Sequence, residues 1–586
     1  MSPSNGSSKP TRGTLTRLRL CLLIIAFLLS LFAARLFQLQ GVDANAYAAK
    51  AAEEGTQQIA LHADRGEILD RNGDALATSV DARAITADPT MTEDDAPAIA
   101  SVLSKRLDLD YFTLVEKLRK PDTRFVYLDH QVPTWKADRA VEAVEKAGLT
   151  GVFAQREPLR TYPGNKLAAN TLGLVNSAGD GGAGLERSFD DILAGEDGQA
   201  TYEVSPSGER IPLADSTVKE PKPGSDVVTT LDRDLQWFTQ QRLKQAIDET
   251  SSDWGVALVK DVKTGEVLSL SQLPTFDAND SDSITETNMN ARAVQNVYEP
   301  GSVQKVITMA ALADKGLVTP RTKVRVPGSM TLDGFTIGDY WSHGMLNMTA
   351  AGVIARSSNM GTVVLSQQMS NKALHSYLED FGFGQPTGVG LPGESGGILA
   401  PPSNWSDAQH ATISFGQGIS VTAMQEASAI EAIANGGVYT EPSLVSGHVG
   451  PNGEETDAPE PESHRVVSKQ AASAVTKMME SVTTSGGTAT NTKIAGYRTA
   501  GKTGTAWRVD PDTGEYVRGE NTVSYVGFAP ADNPRFLTYV VLDNPAGGGS
   551  GSGDAGPVFH DVMREALERY GVPPTGSRPP RTPLYW

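Results

Sequence analysis

A serine and a lysine one helical turn apart are the first residues in this sequence that could do chemistry. The sequence indicates a helix that opens at Pro300, Gly301 and Ser302, and Lys305 follows three residues after the serine. At that spacing both side chains lie on one helical face. An unprotonated lysine can take the proton of a serine hydroxyl, provided that burial or a second cation lowers its pKa. The pair predicts a nucleophilic Ser302 with Lys305 as its base.

Two further motifs could complete such a site. Ser357 and Asn359 form the one S-x-N in the chain, and it lies between two helical patterns. Lys502 and Thr503 begin the run K-T-G-T, in which Gly504 would let a peptide lie against a strand edge and Thr505 follows. These motifs supply the cation, hydroxyls and amide that a serine nucleophile needs around it.

The order of the motifs along the chain separates them from look-alikes. A second S-x-x-K, at residues 216–219, lies in a Pro-rich linker, and a second K-T-G, at residues 263–265, is typical of a hairpin turn. Only the set beginning at Ser302, Ser357 and Lys502 gives S-x-x-K, S-x-N and K-T-G in that order. The occurrence of all three motifs in this order favours a functional site over chance matches of short motifs.

The composition of the chain excludes most other kinds of functional site. The chain has 586 residues and one cysteine, Cys21, so intramolecular disulfides, cysteine-based zinc sites and CxxC redox chemistry are excluded. Its net charge of −19 argues against a nucleic-acid partner held by phosphate contacts. With no clustered histidines, we expect no metal and no cofactor. An activated serine or a carboxylate pair remains.

One apolar segment predicts a membrane anchor. Residues 20–34 carry no charge, and the apolar character continues to about residue 42. Four basic residues and no acid precede the segment, so the positive-inside rule places the N-terminus in the cytoplasm and the rest of the chain outside. A cleavable signal peptide is the alternative, but Leu31 and Phe32 are too large for its cleavage site.

The strand and helix patterns around the motifs predict an α+β fold. Residues 1–19 read as a cytoplasmic tail, 20–42 as the transmembrane anchor and 43–218 as a first exported unit. After the linker KEPKPG, residues 225–572 have strand patterns at both ends and helices between them, which suggests one sheet completed by distant segments. Residues 573–586 form a Pro-rich tail, and residues 544–557 a flexible Gly/Ser loop.

With these motifs in place, the sequence resembles the class B penicillin-binding proteins, the D,D-transpeptidases of peptidoglycan, and more closely their septal, cell-division type. The resemblance covers about residues 35–575. In the first exported unit it rests on RGEILDRNG at 65–73, RTYPG at 160–164 and GLE at 184–186. In the second it rests on YEPGS at 298–302, SFGQG at 414–418 and GFAP at 527–530, besides the three motifs.

The resemblance implies a fold and a role for each motif residue. The first unit would be an elongated, β-rich pedestal (the dimerisation domain), and the second a penicillin-binding domain with a central antiparallel sheet, similar to serine β-lactamases. The resemblance implies that Ser302 is the nucleophile and Lys305 its base. Ser357 and Asn359 would relay protons and hold the substrate amide, and Lys502 would be the cation that keeps Lys305 neutral. Thr503, Gly504 and Thr505 would form the strand that binds the substrate carboxylate. The backbone N–H groups of Ser302 and Thr505 would form the oxyanion hole.

The resemblance also implies partners: nascent peptidoglycan stem peptides, β-lactams, a membrane-embedded peptidoglycan glycosyltransferase and other divisome proteins, with no nucleic acid among them. An elongation-type class B transpeptidase, a D,D-carboxypeptidase and a non-catalytic penicillin sensor or scaffold remain alternatives. A serine β-lactamase would share the motifs, and Glu394 falls where its deacylating glutamate might be sought, but a structural role is preferred for Glu394.

A P-loop NTPase is the rival from another class. Residues 496–503, GYRTAGKT, satisfy G-x-x-x-x-G-K-[ST], and residues 539–543 could pass for a Walker B strand. A P-loop needs a helix directly after it, and Gly504, Pro511 and Gly514 prevent one here. The histidines His62, His343 and His560 are interpreted as surface or packing residues, and Trp341 and Trp507 as rim or core residues near a cleft.

Overall fold

The computed structural model describes residues 12–42, 56–203, 216–510 and 513–586, so the helical continuation predicted at residues 44–54 lies outside the described residues. A helix at Arg12–Phe37 continues into a π-helical turn at Gln38–Val42. Its segment Thr16–Gln40 has a mean hydropathy of 2.6 over its most apolar stretch, and none of that stretch is buried against the protein. Within the described ranges it is the one helix long and apolar enough to cross a membrane, consistent with a single-pass anchor.

The N-terminal unit alternates short strands and helices. Its strands are Thr56–Leu61, Ile68–Leu69, Ala75–Val80, Ala82–Ala87, Val126–Pro133, Val152–Arg156, Leu159–Thr161, Gly198–Glu203 and Ser216–Lys219. Its helices are Pro89–Thr92, Ala96–Leu107, Tyr111–Leu118, Thr134–Lys146, Ala169–Leu172, Gly184–Ser188 and Asp190–Leu193. The second of these helices buries Ile99, Leu103 and Leu107, at four-residue spacing, in a core where it contacts the helices Tyr111–Leu118 and Thr134–Lys146. Residues 94–118, whose spacing favours a helical patch, form two helices, whereas the helix predicted around residues 136–147 and the hairpin predicted near Asn72 are confirmed.

The C-terminal unit is built on a five-stranded antiparallel sheet. Its order is Val267–Leu273, Trp254–Asp261, Phe536–Asp543, Tyr516–Ala529 and Ala500–Val509. The helices Arg233–Thr250 and Gly556–Arg569 contact the sheet, and so do Ala423–Ala434 and Lys469–Glu480. Strands from both ends of the unit lie side by side in the middle of this sheet, as the sequence predicted, and the predicted α+β class is confirmed.

Smaller elements complete this unit. Its other strands are Asp226–Thr229, Lys323–Val326, Ser329–Leu332, Phe335–Gly338, Leu346–Thr349, Val438–Thr440, Val445–Val449, Glu455–Asp457 and Ser463–Arg465. Its other helices are Arg292–Gln295, Gln304–Asp314, Ala350–Arg356, Asn359–Ser366, Asn371–Asp380 and Asp407–Ser414. The two helical patterns predicted on either side of the S-x-N motif are confirmed as the helices Ala350–Arg356 and Asn359–Ser366, and Ser357 adopts a left-handed conformation (φ 57°) that ends the first of them.

The two units share a sheet across the linker that the sequence marks as a boundary. Strand Asp226–Thr229 pairs with Ile68–Leu69 of the N-terminal unit on one side and with Val445–Val449 of the C-terminal unit on the other. A six-stranded sheet therefore runs from one unit into the other. The domain limits 43–218 and 225–572 stay predictions.

The Gly/Ser run and the Pro-rich segment are both more structured than their composition suggested. Residues 544–557 contain a 3₁₀ turn at Ala546–Gly548 and a π-helical turn at Gly551–Ala555. The last residues of the sequence pack against strand Leu346–Thr349, where Thr349 N–H donates to Leu584 O (3.0 Å) and Thr349 Oγ1 donates to Pro583 O (2.7 Å). Trp586 N–H donates to Asn347 O at 3.1 Å. We call residues 583–586 the strap.

Removing the strap is expected to destabilise the start of the helix that leads to Ser357. Thr349 is the N-cap of helix Ala350–Arg356, since its hydroxyl accepts the N–H of Gly352 at 3.0 Å. Deleting residues 583–586 removes three hydrogen bonds, each worth about 1 kcal/mol. We expect a lower Tm in thermal unfolding of the full-length protein, whereas the control Arg581→Ala, at an exposed position, should keep the wild-type Tm. Equal Tm values for the deletion and the control would contradict the packing role.

Candidate active site

Glycines bring the Ser302 turn against the K-T-G strand. Gly301 has φ 55°, and a Cβ built on it would lie 2.7 Å from the carbonyl oxygen of Thr505. A Cβ on Gly504 would lie 2.2 Å from Ser524 Oγ and 3.0 Å from Pro300 O. Side chains at these positions would push the two segments apart. The S-x-x-K turn, which begins 200 positions before K-T-G, is therefore in contact with the strand that carries K-T-G.

Ser302 and Lys305 meet as the spacing predicted. A 3₁₀ turn at Gly301–Val303 runs into helix Gln304–Asp314, and Lys305 Nζ lies 2.9 Å from Ser302 Oγ. Lys305 is fully buried and also donates to the carbonyl oxygen of Ser357 at 2.7 Å. The amine is held by the backbone in line with the hydroxyl, which is the geometry of a general base.

The left-handed Ser357 joins the two lysines. Its Oγ lies 3.3 Å from Lys305 Nζ and accepts a hydrogen bond from Lys502 Nζ at 2.8 Å. A non-glycine residue at positive φ costs energy, and such residues persist where the surrounding structure fixes them. The strained serine thus places one hydroxyl between two amines and gives a path for a proton.

Burial sets the protonation of both lysines. It lowers the pKa of Lys305 to about 7, against a smaller opposing effect of the Asp339 carboxylate. Burial also lowers the pKa of Lys502 well below its ordinary value, and the charge of Lys305 lowers it further. The sequence resemblance assigned the neutrality of Lys305 to Lys502, but burial is the first cause. Lys305 can therefore be an unprotonated amine near neutral pH.

The remaining motif residues line the same cleft. Asn359 Nδ2 donates to the carbonyl oxygen of Gly338 at 3.1 Å, and Thr505 Oγ1 donates to Gly504 O at 2.8 Å. Lys502 Nζ also donates to Thr503 O at 2.9 Å, which fixes the amine beneath the strand. The structure thus brings all eight predicted residues together, from three segments far apart in the sequence.

Asp339 is a residue of this site that the sequence did not reveal. Its buried carboxylate accepts from Ser358 Oγ (2.7 Å), Met360 N–H (2.9 Å) and His343 Nε2 (2.9 Å). It holds the S-x-N turn from the far side and is the carboxylate that opposes the effect of burial on Lys305. No local motif marks it, because its three partners follow at 4, 19 and 21 positions along the chain.

The cleft has a volume of about 730 Å³ and runs past Ser302. Trp507 stands at its rim, and residues 549–552 of the Gly/Ser run also line it, with Gly551 packed closely against Gly504 and Ser524. Trp341 packs near it, with its ring against Arg356. An open groove of this size fits an extended peptide better than an enclosed small molecule.

The look-alike motifs have structural roles. The residues after 503 continue as strand Ala500–Val509 where a P-loop requires a helix, so the NTPase interpretation fails. Glu394 accepts hydrogen bonds from Thr387 N–H and Oγ1 (both 2.8 Å) and from two glycine N–H groups, which confirms its structural role. The second K-T-G forms the turn between two strands of the central sheet.

Two family models match the chain. The model described as penicillin binding protein transpeptidase domain matches residues 255–564, and the model of the penicillin-binding protein dimerisation domain matches residues 60–229. The chain is 37% identical to penicillin-binding protein PbpB of Mycobacterium tuberculosis over 94% of its own length and 84% of the relative's. It is 32% identical to peptidoglycan D,D-transpeptidase FtsI of Escherichia coli, over 88% and 85% of the two chains.

Solved structures show the same architecture. A crystal structure of penicillin-binding protein 3 from Mycobacterium tuberculosis in complex with aztreonam superposes with a TM-score of 0.71 at 33% identity, over 90% of this chain and all of that one. A peptidoglycan synthetase from Bifidobacterium adolescentis gives a TM-score of 0.74 at 32% identity, over 91% and 100% of the two chains. The similarity extends over both the N-terminal and the C-terminal unit.

Proposed function

This chain belongs to the class B penicillin-binding proteins, the serine D,D-transpeptidases that cross-link peptidoglycan and bind β-lactams, and we propose that Ser302 is its acylated nucleophile. The observation that carries the assignment is the buried Lys305 amine 2.9 Å from Ser302 Oγ. By resemblance, Ser357, Asn359 and Lys502 complete the catalytic set, and Thr503, Gly504 and Thr505 bind the substrate.

The proposed reaction proceeds through an acyl-enzyme. Ser302 Oγ attacks the carbonyl carbon of the penultimate D-Ala of a stem peptide while its proton moves to Lys305 Nζ. The backbone N–H groups of Ser302 and Thr505 stabilise the oxyanion. The peptide C–N bond then breaks, the departing amine of the terminal D-Ala takes a proton through Ser357 Oγ, and an ester with Ser302 remains.

The second half of the reaction makes the cross-link. An amine of a neighbouring strand attacks the ester carbonyl and gives up a proton to Lys305. The C–O bond to Ser302 breaks, and the serine oxygen regains the proton. A β-lactam enters the first half as an analogue of D-Ala-D-Ala, but its leaving amine stays attached to the ring, so the acyl-enzyme persists.

Labelled penicillin tests the nucleophile. Full-length protein in detergent is expected to gain the mass of one penicillin, and peptide mapping should place the adduct on Ser302. Ser302→Ala should show no adduct. An adduct that persists in Ser302→Ala, or no adduct on the wild-type protein, would overturn the assignment.

The rate of acylation is expected to rise with pH around neutrality. Burial lowers the pKa of Lys305 to about 7, and only the neutral amine accepts the serine proton. The second-order rate constant for benzylpenicillin should therefore increase as pH rises from 5 to 8 with an apparent pKa near 7 and level off above it. A flat profile over this range would exclude Lys305 as the titrating base.

The orientation, the domain limits and the partners are parts of the same proposal. We infer that residues 1–19 are cytoplasmic and that the pedestal (43–218) and the catalytic domain (225–572) lie outside the membrane, because basic residues precede the anchor. A membrane-embedded glycosyltransferase and other divisome proteins would contact the anchor and pedestal. Protease added to intact spheroplasts should digest both units, and full protection would contradict this orientation.

A septal role is supported by the similarity to PbpB and FtsI. Depletion in the native organism should give filaments or failed septa. Loss of side-wall elongation with normal division would instead identify an elongation-type enzyme.

A further inference from the structure

One unpaired cation faces the cleft that holds Ser302. Arg356, the last residue of helix Ala350–Arg356, is the one basic residue among the described side chains that line this cleft. The two catalytic lysines lie behind it, fully buried. Within the described part of the chain, Arg356 forms no ion pair with a carboxylate, although the protein carries 70 acidic residues.

The Arg356 side chain is held in place by weak contacts only. Its guanidinium stacks on the Trp341 ring, 5.5 Å from the centroid, and its Nη1 donates to Gly486 O at a long 3.4 Å. Its Nε is buried with no hydrogen-bond partner. Stacking on an aromatic ring fixes the plane of a guanidinium and leaves its edge free to donate.

A second polar atom without a partner lies on the same wall. Thr488 lines the cleft, and its N–H donates to Ala355 O at 3.1 Å, which places it beside Arg356. Its Oγ1 is buried and has no partner among the described residues. Buried polar groups are nearly always paired, so two unpaired ones side by side in a cleft indicate a ligand group.

No acid among the described residues of the cleft completes this pair. Asp339, its one acidic lining residue, already accepts from Ser358, Met360 and His343. The terminal carboxylate of the substrate is assigned to Thr503 and Thr505 in the proposed function. A further anion is needed, and a carboxylate matches both the guanidinium edge and a hydroxyl donor.

We propose that Arg356 and Thr488 form a second carboxylate subsite, which selects stem peptides whose third residue is a diamino-dicarboxylic acid over those with lysine. This inference rests on the proposed function. The bound carboxylate can belong to the donor stem peptide or to the acceptor strand, and both carry it in such a peptidoglycan. The guanidinium donates to its oxygens, and Thr488 Oγ1 donates from the adjacent wall.

The donor side is tested with two penicillins that differ by one carboxylate. Carbenicillin carries a carboxylate on its side chain, and benzylpenicillin has hydrogen there. Arg356→Gln is expected to lower the ratio of the carbenicillin to the benzylpenicillin acylation rate about tenfold, the loss of one charge-assisted contact. Arg356→Lys should lower this ratio less than Arg356→Gln, because lysine retains the positive charge but lacks the paired N–H donors of the guanidinium. Lys146→Gln, an exposed charge on the pedestal, should keep the wild-type ratio.

The acceptor side is tested by partition of the acyl-enzyme. A thioester donor acylates the enzyme, and D-alanine and D-alaninamide then compete as acceptors that differ in one carboxylate. A tenfold fall in the preference of Arg356→Gln for D-alanine would assign the subsite to the acceptor, whereas a fall in the penicillin ratio would assign it to the donor. If neither the penicillin ratio nor the acceptor preference changes in Arg356→Gln, the proposal of a carboxylate subsite is overturned. The same holds if all the rates fall by the same factor, because both ratios are then unchanged.

The two proposals fail separately. If Ser302→Ala still forms an adduct, the nucleophile assignment fails whatever Arg356 does. If Ser302 is acylated normally and both ratios in Arg356→Gln equal those of the wild type, only the subsite fails.

Discussion

Replacing Lys305 by methionine is expected to slow acylation by benzylpenicillin by about a hundredfold to ten-thousandfold at pH 7.5, because general-base catalysis contributes about 10² to 10⁴ and no other described amine lies against Ser302 Oγ. Methionine has nearly the volume of the lysine stem, so the helix should keep its packing. Lys502 cannot replace the base, since its Nζ is directed to Ser357 Oγ and to Thr503. The expected result is a folded protein that forms the adduct very slowly.

The look-alike motif supplies the control. Lys263 begins the second K-T-G and lies exposed in a hairpin turn, so Lys263→Met makes the same chemical change away from the site. Its acylation rate should equal that of the wild type. Because burial lowers the pKa of Lys305, the folded protein binds fewer protons there than the unfolded chain, and Lys305→Met should be at least as stable at neutral pH. A rate within tenfold of the wild type would show that another group takes the proton.

The residues proposed as catalytic could be identified from the sequence because each belongs to a short motif with a fixed spacing. Ser302 and Lys305 are joined by one helical turn, and the K-T-G strand needs its glycine for close approach to the Ser302 turn. Such local requirements can be read from neighbouring residues. Their order along the chain then excluded the look-alikes.

The contacts that support the site were not predictable in the same way. Asp339 acts on residues up to 21 positions away, and the strap reaches Thr349 across more than 230 positions. Neither segment has a local sequence feature that identifies the residues it contacts. The sequence places Ser357 between two helical patterns but does not predict its left-handed conformation, which the contacts with Lys305 and Lys502 hold in place.

In the N-terminal unit, three of the predicted motifs meet at one buried carboxylate. Glu186, from GLE, is fully buried and accepts from Arg65 Nε at 2.8 Å and from Arg160 Nε at 2.7 Å. The hydroxyl of Tyr162 lies 3.3 Å from the same carboxylate. Arg65 belongs to RGEILDRNG and Arg160 to RTYPG, so the motifs that marked the pedestal in sequence are the parts of a single ion network.

Substituting Glu186 by glutamine is therefore expected to cost about 3 to 5 kcal/mol in the free energy of unfolding, because the buried Arg160 loses its one carboxylate partner among the described residues and Arg65 keeps only Asp190. The Tm of the pedestal should fall by roughly 6 °C or more. Glu145→Gln, at an exposed position on a pedestal helix, removes the same charge and should leave the Tm unchanged. Thermal unfolding of the full-length protein measures both, and penicillin acylation below the transition reports on the catalytic unit. Glu186 lies in the N-terminal unit and Ser302 in the C-terminal unit, so the substitution should lower the stability of the protein before it lowers the acylation rate. A Glu186→Gln protein as stable as Glu145→Gln would refute the ion network as the structural centre of the pedestal.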